Sequence, residues 1–192
     1  MFKTTVLGHP RGATRMRQAT RGGKSWSYTD PDYMDFLVKV AEHCNQYIDD
    51  PEFIKFFNAD RRKPKRGQPQ TYAISMKLRF FIKSTAKELP SFFTAKPDLD
   101  NLIKGAQDGM WYNKLNIEPS GDIEIVNYTD KNGNSHRTFV ETPRSFNVPD
   151  SVVAHYDAMK LPVSTSEEER VEITLYDLTD KKDVQALTER RS

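Results

Sequence analysis

From Tyr72 to Lys83 apolar and polar residues alternate: Tyr72, Ile74, Met76, Leu78, Phe80 and Ile82 on one side, with Lys77, Arg79 and Lys83 on the other. A period of two held over twelve residues describes a β-strand with one buried face. The next strong apolar pattern has a different period. Leu99, Leu102, Ile103, Ala106 and Met110 follow helical spacing and form one buried stripe. A half-buried strand followed by an amphipathic helix points to an α+β fold in which helices cover one face of a sheet.

The flanking segments extend that plan. Phe2 to Leu7 reads as a first strand ending at Gly8. His9 to Trp26 is rich in Arg, Gly, Thr and Ser without an apolar period and reads as a long basic loop. Thr29 as N-cap, Pro31 in the first turn and Asp32 three residues after the threonine predict a helix start. Tyr33, Phe36, Leu37, Val40, Ala41, Cys44, Tyr47 and Ile48 then keep helical spacing until Asp50-Pro51 breaks it. Glu52 to Asn58 reads as a short packed helix, and the basic run Arg61 to Gln70, holding Pro64, Gly67 and Pro69, as a loop.

Beyond Trp111, strand-like arms flank Asp130-Lys131-Asn132-Gly133-Asn134, and an Asn-Gly pair in that setting predicts a hairpin. Ser151 to Tyr156 and Val171 to Leu175 read as two more strands, with Pro162 to Glu169 a polar loop between them. The expectation is a single two-layer α+β domain, residues 1–179. It has a mixed sheet, two main helices on one face and an inserted β-hairpin at 113–148, followed by a charged tail at 180–192 that is frayed or weakly helical.

At 192 residues and a net charge of +2, the chain has a near-neutral total that hides strong segregation. No acidic residue occurs from Met1 to Thr29, where Lys3, Arg11, Arg15, Arg17, Arg21 and Lys24 gather. Basic segments beside an acidic pocket suit a nucleic-acid enzyme, with solvated loops as the alternative. A single cysteine, Cys44, excludes an internal disulfide and a thiolate zinc site, and fits a reducing cytoplasm. The four histidines show no metal-ligand spacing, and neither a signal-peptide core nor a membrane span is evident.

The chemistry concentrates in Lys96-Pro-Asp-Leu-Asp-Asn-Leu-Ile-Lys104, continuing to Asp108 and Trp111. Pro97 disfavours helix at Lys96, so the segment is expected to enter extended, with Asp98 and Asp100 aimed to the same side. Asp100, Lys104 and Asp108 recur every four residues on the exposed face of the helix that follows. Two converging carboxylates with a lysine one turn on suggest a site for a divalent metal and phosphate. Ordinary alternatives are helix capping by an aspartate and an Asp100–Lys104 ion pair. An EF-hand is excluded because Leu102 holds the fifth loop position. Trp111 and Tyr112 read as packing residues, and His155 as a surface or core histidine.

This stretch resembles the signature of the RusA family of Holliday junction resolvases, small homodimeric endonucleases common in phages and prophages. Val6-Leu7-Gly8-His9-Pro10 with the Arg-rich loop and Tyr28, Val152 to Lys160, and Glu169 to Thr174 are similar to other family segments and occur in the right order. The resemblance implies that Asp98 and Asp100 are the first two essential acids and Lys104 the essential lysine, with Asp108 a recurrent helix acid. It implies that Asp150 is the third acid, in register with Lys160 ten residues on, although Pro149 replaces the first acid of the usual pair. Asp122, closer in sequence, competes for that place.

The resemblance implies a Mg²⁺-dependent nuclease, with Mn²⁺ as substitute, that cuts four-way junctions by paired nicks as a homodimer in a bacterial cytoplasm. Arg11, Arg15, Arg17, Arg21 and Lys24, together with Lys77, Arg79 and Lys83, are the candidates to grip junction phosphates. The alternatives are a nuclease for other branched or flap DNA and a non-catalytic junction binder.

Overall fold

Ile74–Lys83 forms the strand that its alternation predicts, and Ile74, Met76, Leu78 and Phe80 on its inner side are fully buried. A computed structural model describes residues 1–14, 17–47, 49–57, 72–111, 117–129, 135–145 and 152–189. In chain order the elements are β1 (Phe2–Leu7), β2 (Arg17–Arg21), β3 (Lys24–Tyr28), α1 (Pro31–Asn45), α2 (Pro51–Ile54), β4 (Ile74–Lys83) and α3 (Leu99–Met110). There follow β5 (Ile117–Thr129), β6 (Ser135–Ser145), β7 (Val153–Val163), β8 (Arg170–Asp177) and α4 (Lys181–Thr188).

The main sheet has the order β1-β8-β4-β7, with β4 parallel to β7 and every other pairing antiparallel. A parallel pair needs a crossover, and α3 lies in the chain between β4 and β7. Phe36 and Val40 of α1 and Leu102, Ala106 and Met110 of α3 join the sheet's inner face in one core, with Trp111. This is the mixed sheet with two main helices on one face.

Several local expectations are corrected. The stretch read as a continuous basic loop contains the hairpin β2–β3, closed by Gly22 (φ +60°) and Gly23 (φ +75°). Two consecutive positive φ values are what a tight two-residue hairpin turn demands, and glycine supplies them without a Cβ clash. The cap of α1 is Asp30 rather than Thr29. Its carboxylate accepts from the Asp32 N–H at 3.1 Å, with Pro31 at the first helical position.

Strand β7 continues to Val163 through Pro162, which a loop was expected to hold. It is an edge strand, where a proline removes no ladder bond the sheet needs. Of the two alternatives for the tail, frayed or weakly helical, the described residues take the helical one, Lys181–Thr188. Asp180 caps α4 by accepting from Lys182 N–H at 2.9 Å, and buried Asp183 accepts from Asp177 N–H at 2.9 Å.

The β5–β6 ribbon pairs Ile125 with Phe139 and Thr129 with Ser135. The predicted Asn-Gly turn and Tyr112 lie outside the described residues. Among the described residues, no helix is long and apolar enough to cross a membrane.

Candidate active site

The motif enters α3 beside Lys160 of β7. Lys160 Nζ donates to the Ala95 carbonyl at 2.7 Å and to the Pro97 carbonyl at 3.0 Å, while Phe93 N–H donates to the Lys160 carbonyl at 3.2 Å. The lysine ten residues after Asp150 therefore braces the backbone that delivers Asp98. The Lys96–Pro97 peptide is cis.

Helix α3 begins at Leu99, immediately after Asp98, so the pair does not sit on one extended segment as expected. Asp98 occupies the N-cap position with extended backbone (φ −65°, ψ 147°), and Asp100 lies in the first turn. Both side chains are exposed. Asp98 makes no capping hydrogen bond, which removes the ordinary reason for an aspartate at that position. The first turn instead carries two carboxylates at the positive end of the helix dipole.

Lys104 does not pair with Asp100. Its Nζ donates to Asp108 Oδ1 at 3.0 Å, and the hydroxyl of Tyr33 on α1 donates to Asp108 Oδ2 at 2.8 Å. Both carboxylate oxygens of Asp108 are thus engaged, and the acid is half-buried rather than on an open face. Burial, then the Asp108 hydrogen bond and charge, push the Tyr33 phenol well above its ordinary value, so it stays a donor at any working pH.

The basic loop is packed directly against this motif. Ala13 N–H donates to the Asn101 carbonyl at 2.8 Å, and a Cβ on Gly105 would stand 2.4 Å from the Arg11 carbonyl oxygen. Gly109 repeats the theme one turn on, where a Cβ would stand 2.7 Å from Val40 Cβ. The i, i+4 glycines let α3 approach the loop and α1 closely. Beside the loop lies a cleft of about 310 Å³ lined by His9, Arg11, Asp30, Asp32, Tyr33 and Pro97 among others. Arg11 pairs with Asp32 at 3.1 Å, but both side chains are exposed, and such a pair is worth about 1 kcal/mol or less. A phosphate can displace it.

Not all the predicted cations come to the site. Lys77, Arg79 and Lys83 lie on the sheet face opposite the helices. Arg79 donates to Asp157 Oδ2 at 2.9 Å and to the Asp157 and Leu78 carbonyls, and Lys77 lies 3.8 Å from the same carboxylate. Lys83 Nζ reaches Ser166 Oγ at 3.3 Å. They are not brought to the carboxylate pair, and Arg79 ties β4 to β7 through Asp157. The Arg79 hydrogen bond draws the Asp157 carboxyl below its usual range, against the opposing effect of burial. A depressed carboxylate stabilises fully above its unfolded value, and that contribution drains away as pH falls through the lower folded value. Asp157→Asn is expected to cost roughly 1 kcal/mol, discounted for screening at a partly exposed group, with the loss shrinking below about pH 4. Urea unfolding at pH 7 and pH 3 checks both parts. His155, also on that face, lies in hydrogen-bond contact with Ser75 Oγ at 2.8 Å.

A family model for the RusA endodeoxyribonucleases matches residues 8–142. The chain belongs to the RusA family. It is accordingly an endodeoxyribonuclease, a hydrolase of DNA phosphodiesters. The match spans the basic loop, Asp98, Asp100, Lys104, Asp108 and Asp122, and stops short of Asp150. No curated protein and no solved structure matched the chain.

Asp150 lies outside the described residues, as does Arg15. Asp122 falls within β5, Arg17 and Arg21 on β2 and Lys24 on β3, with Arg21 opposite Lys24 in register. Among the described residues, no three His, Cys, Asp or Glu side chains come together as a metal-binding group.

The donor chemistry that is described still fits magnesium, which takes carboxylate oxygens and retains several waters. Sequence reasoning did not single out Tyr33 as a functional residue. Its only sequence signal was an apolar helical register, which a tyrosine can satisfy while its hydroxyl reaches a partner.

Proposed function

We propose that this RusA-family nuclease resolves four-way DNA junctions by paired, symmetric nicks in a Mg²⁺-dependent reaction, acting as a two-fold homodimer. The observation that carries the reading is the pair of exposed carboxylates at the start of α3, with Asp98 released from capping. Asp98 and Asp100 would hold the ion, completed by Asp150. When bound, Mg²⁺ supplies Lewis acidity at the phosphate and lowers the pKa of its water, and Mn²⁺ would substitute. Lys104, on the same face one turn beyond Asp100, places an ammonium where it can meet a phosphate oxygen and offset developing charge. The basic loop, pinned by Ala13 and Asn101, sets the register of the DNA backbone over the motif through Arg11 and its neighbours. Two copies related by a dyad match the two strands a junction offers.

Strand-labelled synthetic junctions, flaps and duplexes incubated with Mg²⁺ test this directly. Opposed incisions in the junction are expected. Cutting confined to flaps, or salt-sensitive binding with no incision of any substrate, would overturn the reading.

Two further outcomes are expected. Asp150→Asn should abolish incision while Asp122→Asn leaves it within a few-fold; the reverse pattern, in the same incision assay, would move the third ligand onto the ribbon. Replacing Arg15 and Arg17 together by Ala should weaken junction binding and reduce the slope of log K against log salt by roughly 2, about one per lost phosphate contact. An unchanged slope in a binding titration from low to moderate salt would remove those side chains from the DNA interface.

A further inference from the structure

Lys104 stands four residues from an acid on either side, and the two choices have opposite consequences. Paired with Asp100, the ammonium would neutralise one of the two carboxylates at the start of α3 and compete with a cation for it. Paired with Asp108, it leaves Asp100 open. Helical spacing alone does not favour the second arrangement strongly, because i, i+4 acid–lysine pairs in this order, acid first, are the slightly better ones, and that describes Asp100–Lys104. The structure nevertheless seats Lys104 on Asp108, at 3.0 Å.

The difference between the two acids lies in a third residue. Tyr33 reaches from α1 to hold the second oxygen of Asp108 at 2.8 Å, and its ring is packed beneath Gly105, where a Cβ would meet it at 3.4 Å. Asp108 is thereby oriented and partly withdrawn from solvent, with its other oxygen bonded to Lys104. Asp100 is exposed and has no comparable support.

We propose that Tyr33 is a positioning residue: with Asp108 it forms a holder that keeps Lys104 off Asp100, so that the carboxylate pair stays open to a divalent cation. The inference rests on the metal-dependent reading above and deepens it. It assigns a role to a tyrosine that touches neither carboxylate of the pair, and it explains why α1, which supplies no predicted ligand, is packed so closely on α3.

The test is direct binding of Mn²⁺ to the DNA-free protein, read by calorimetry or by loss of the free-ion electron paramagnetic resonance signal. Tyr33→Phe removes only the hydroxyl and keeps the buried ring, and its fold is checked by circular dichroism and thermal melting. It is expected to weaken Mn²⁺ binding by roughly two- to fivefold, the strength of an exposed ion pair that the cation must displace. In a Lys104→Met background the same change is expected to have no effect, since no ammonium remains to be held away. A purely structural role would lower affinity equally in both backgrounds, and that result overturns the proposal, as does unchanged affinity in Tyr33→Phe. If the wild-type protein and Asp98→Asn show the same negligible Mn²⁺ binding, the metal-dependent reading itself fails and the holder with it.

Discussion

Asp98→Asn is expected to abolish junction incision, by roughly 10³-fold or more, while junction binding measured in EDTA stays within about twofold of wild type. The substitution keeps the size of the side chain and removes the charge that an oxygen-ligand site for a hard cation requires. Its structural cost should be small, because Asp98 makes no capping hydrogen bond and its side chain is exposed. An asparagine is also a good N-cap residue, so α3 has no reason to unravel. Loss of activity with an unchanged melting temperature therefore isolates chemistry from folding. An Asp98→Asn variant that cuts at more than a tenth of the wild-type rate would contradict the assignment of this carboxylate to the reaction.

Gly105→Ala is the substitution expected to do most damage to the fold around the site. In an ordinary helix interior the change would stabilise by about 1 kcal/mol. Here the new methyl would stand 2.4 Å from the Arg11 carbonyl oxygen, a backbone atom that cannot rotate away, while meeting the Tyr33 and Phe36 rings at ordinary contact distance. Overpacking of this kind costs about 1–3 kcal/mol, and displacing the loop also gives up the Ala13–Asn101 hydrogen bond, worth about 1 kcal/mol. The steric term wins. A net loss of about 2 kcal/mol should lower the melting temperature by roughly 4–8 °C in a chain of this size. Junction affinity should fall with it, because the segment moved is the base of the basic loop. A melting temperature equal to or above wild type would show that loop and helix are not in the contact described.

The layers of the fold were legible because they rest on periodicity. The alternation of Tyr72–Ile82 and the stripe Leu102–Ala106–Met110 report burial directly, and the sheet and helices follow from them. What was missed depends on backbone geometry or on contacts distant in sequence. The β2–β3 hairpin has no apolar alternation, and Gly22-Gly23 was its one signal. Asp30 displaced Thr29 as the cap because two adequate capping residues stand side by side and only the geometry decides between them.

At the site, the motif was legible as a cluster of charges but its wiring was not. Spacing allows Lys104 to pair with Asp100 or Asp108, and Tyr33, seventy-five residues before Asp108, settles it. The engagement of Arg79 and Lys77 by Asp157 was not legible either, because that acid comes from a strand far along the chain. Likewise the need for glycine at 105 and 109 shows only once Arg11 and Val40 are placed against them.

The most direct measurement of the central claim uses a supercoiled plasmid carrying an extruded cruciform, incubated with the wild-type protein and Mg²⁺. Paired nicks across the junction within one encounter convert the circle to a linear molecule whose ends map to the cruciform, and this is the predicted product, absent with Asp98→Asn and in EDTA. Accumulation of nicked circles without linear product, or linearisation at sites unrelated to the cruciform, would contradict it.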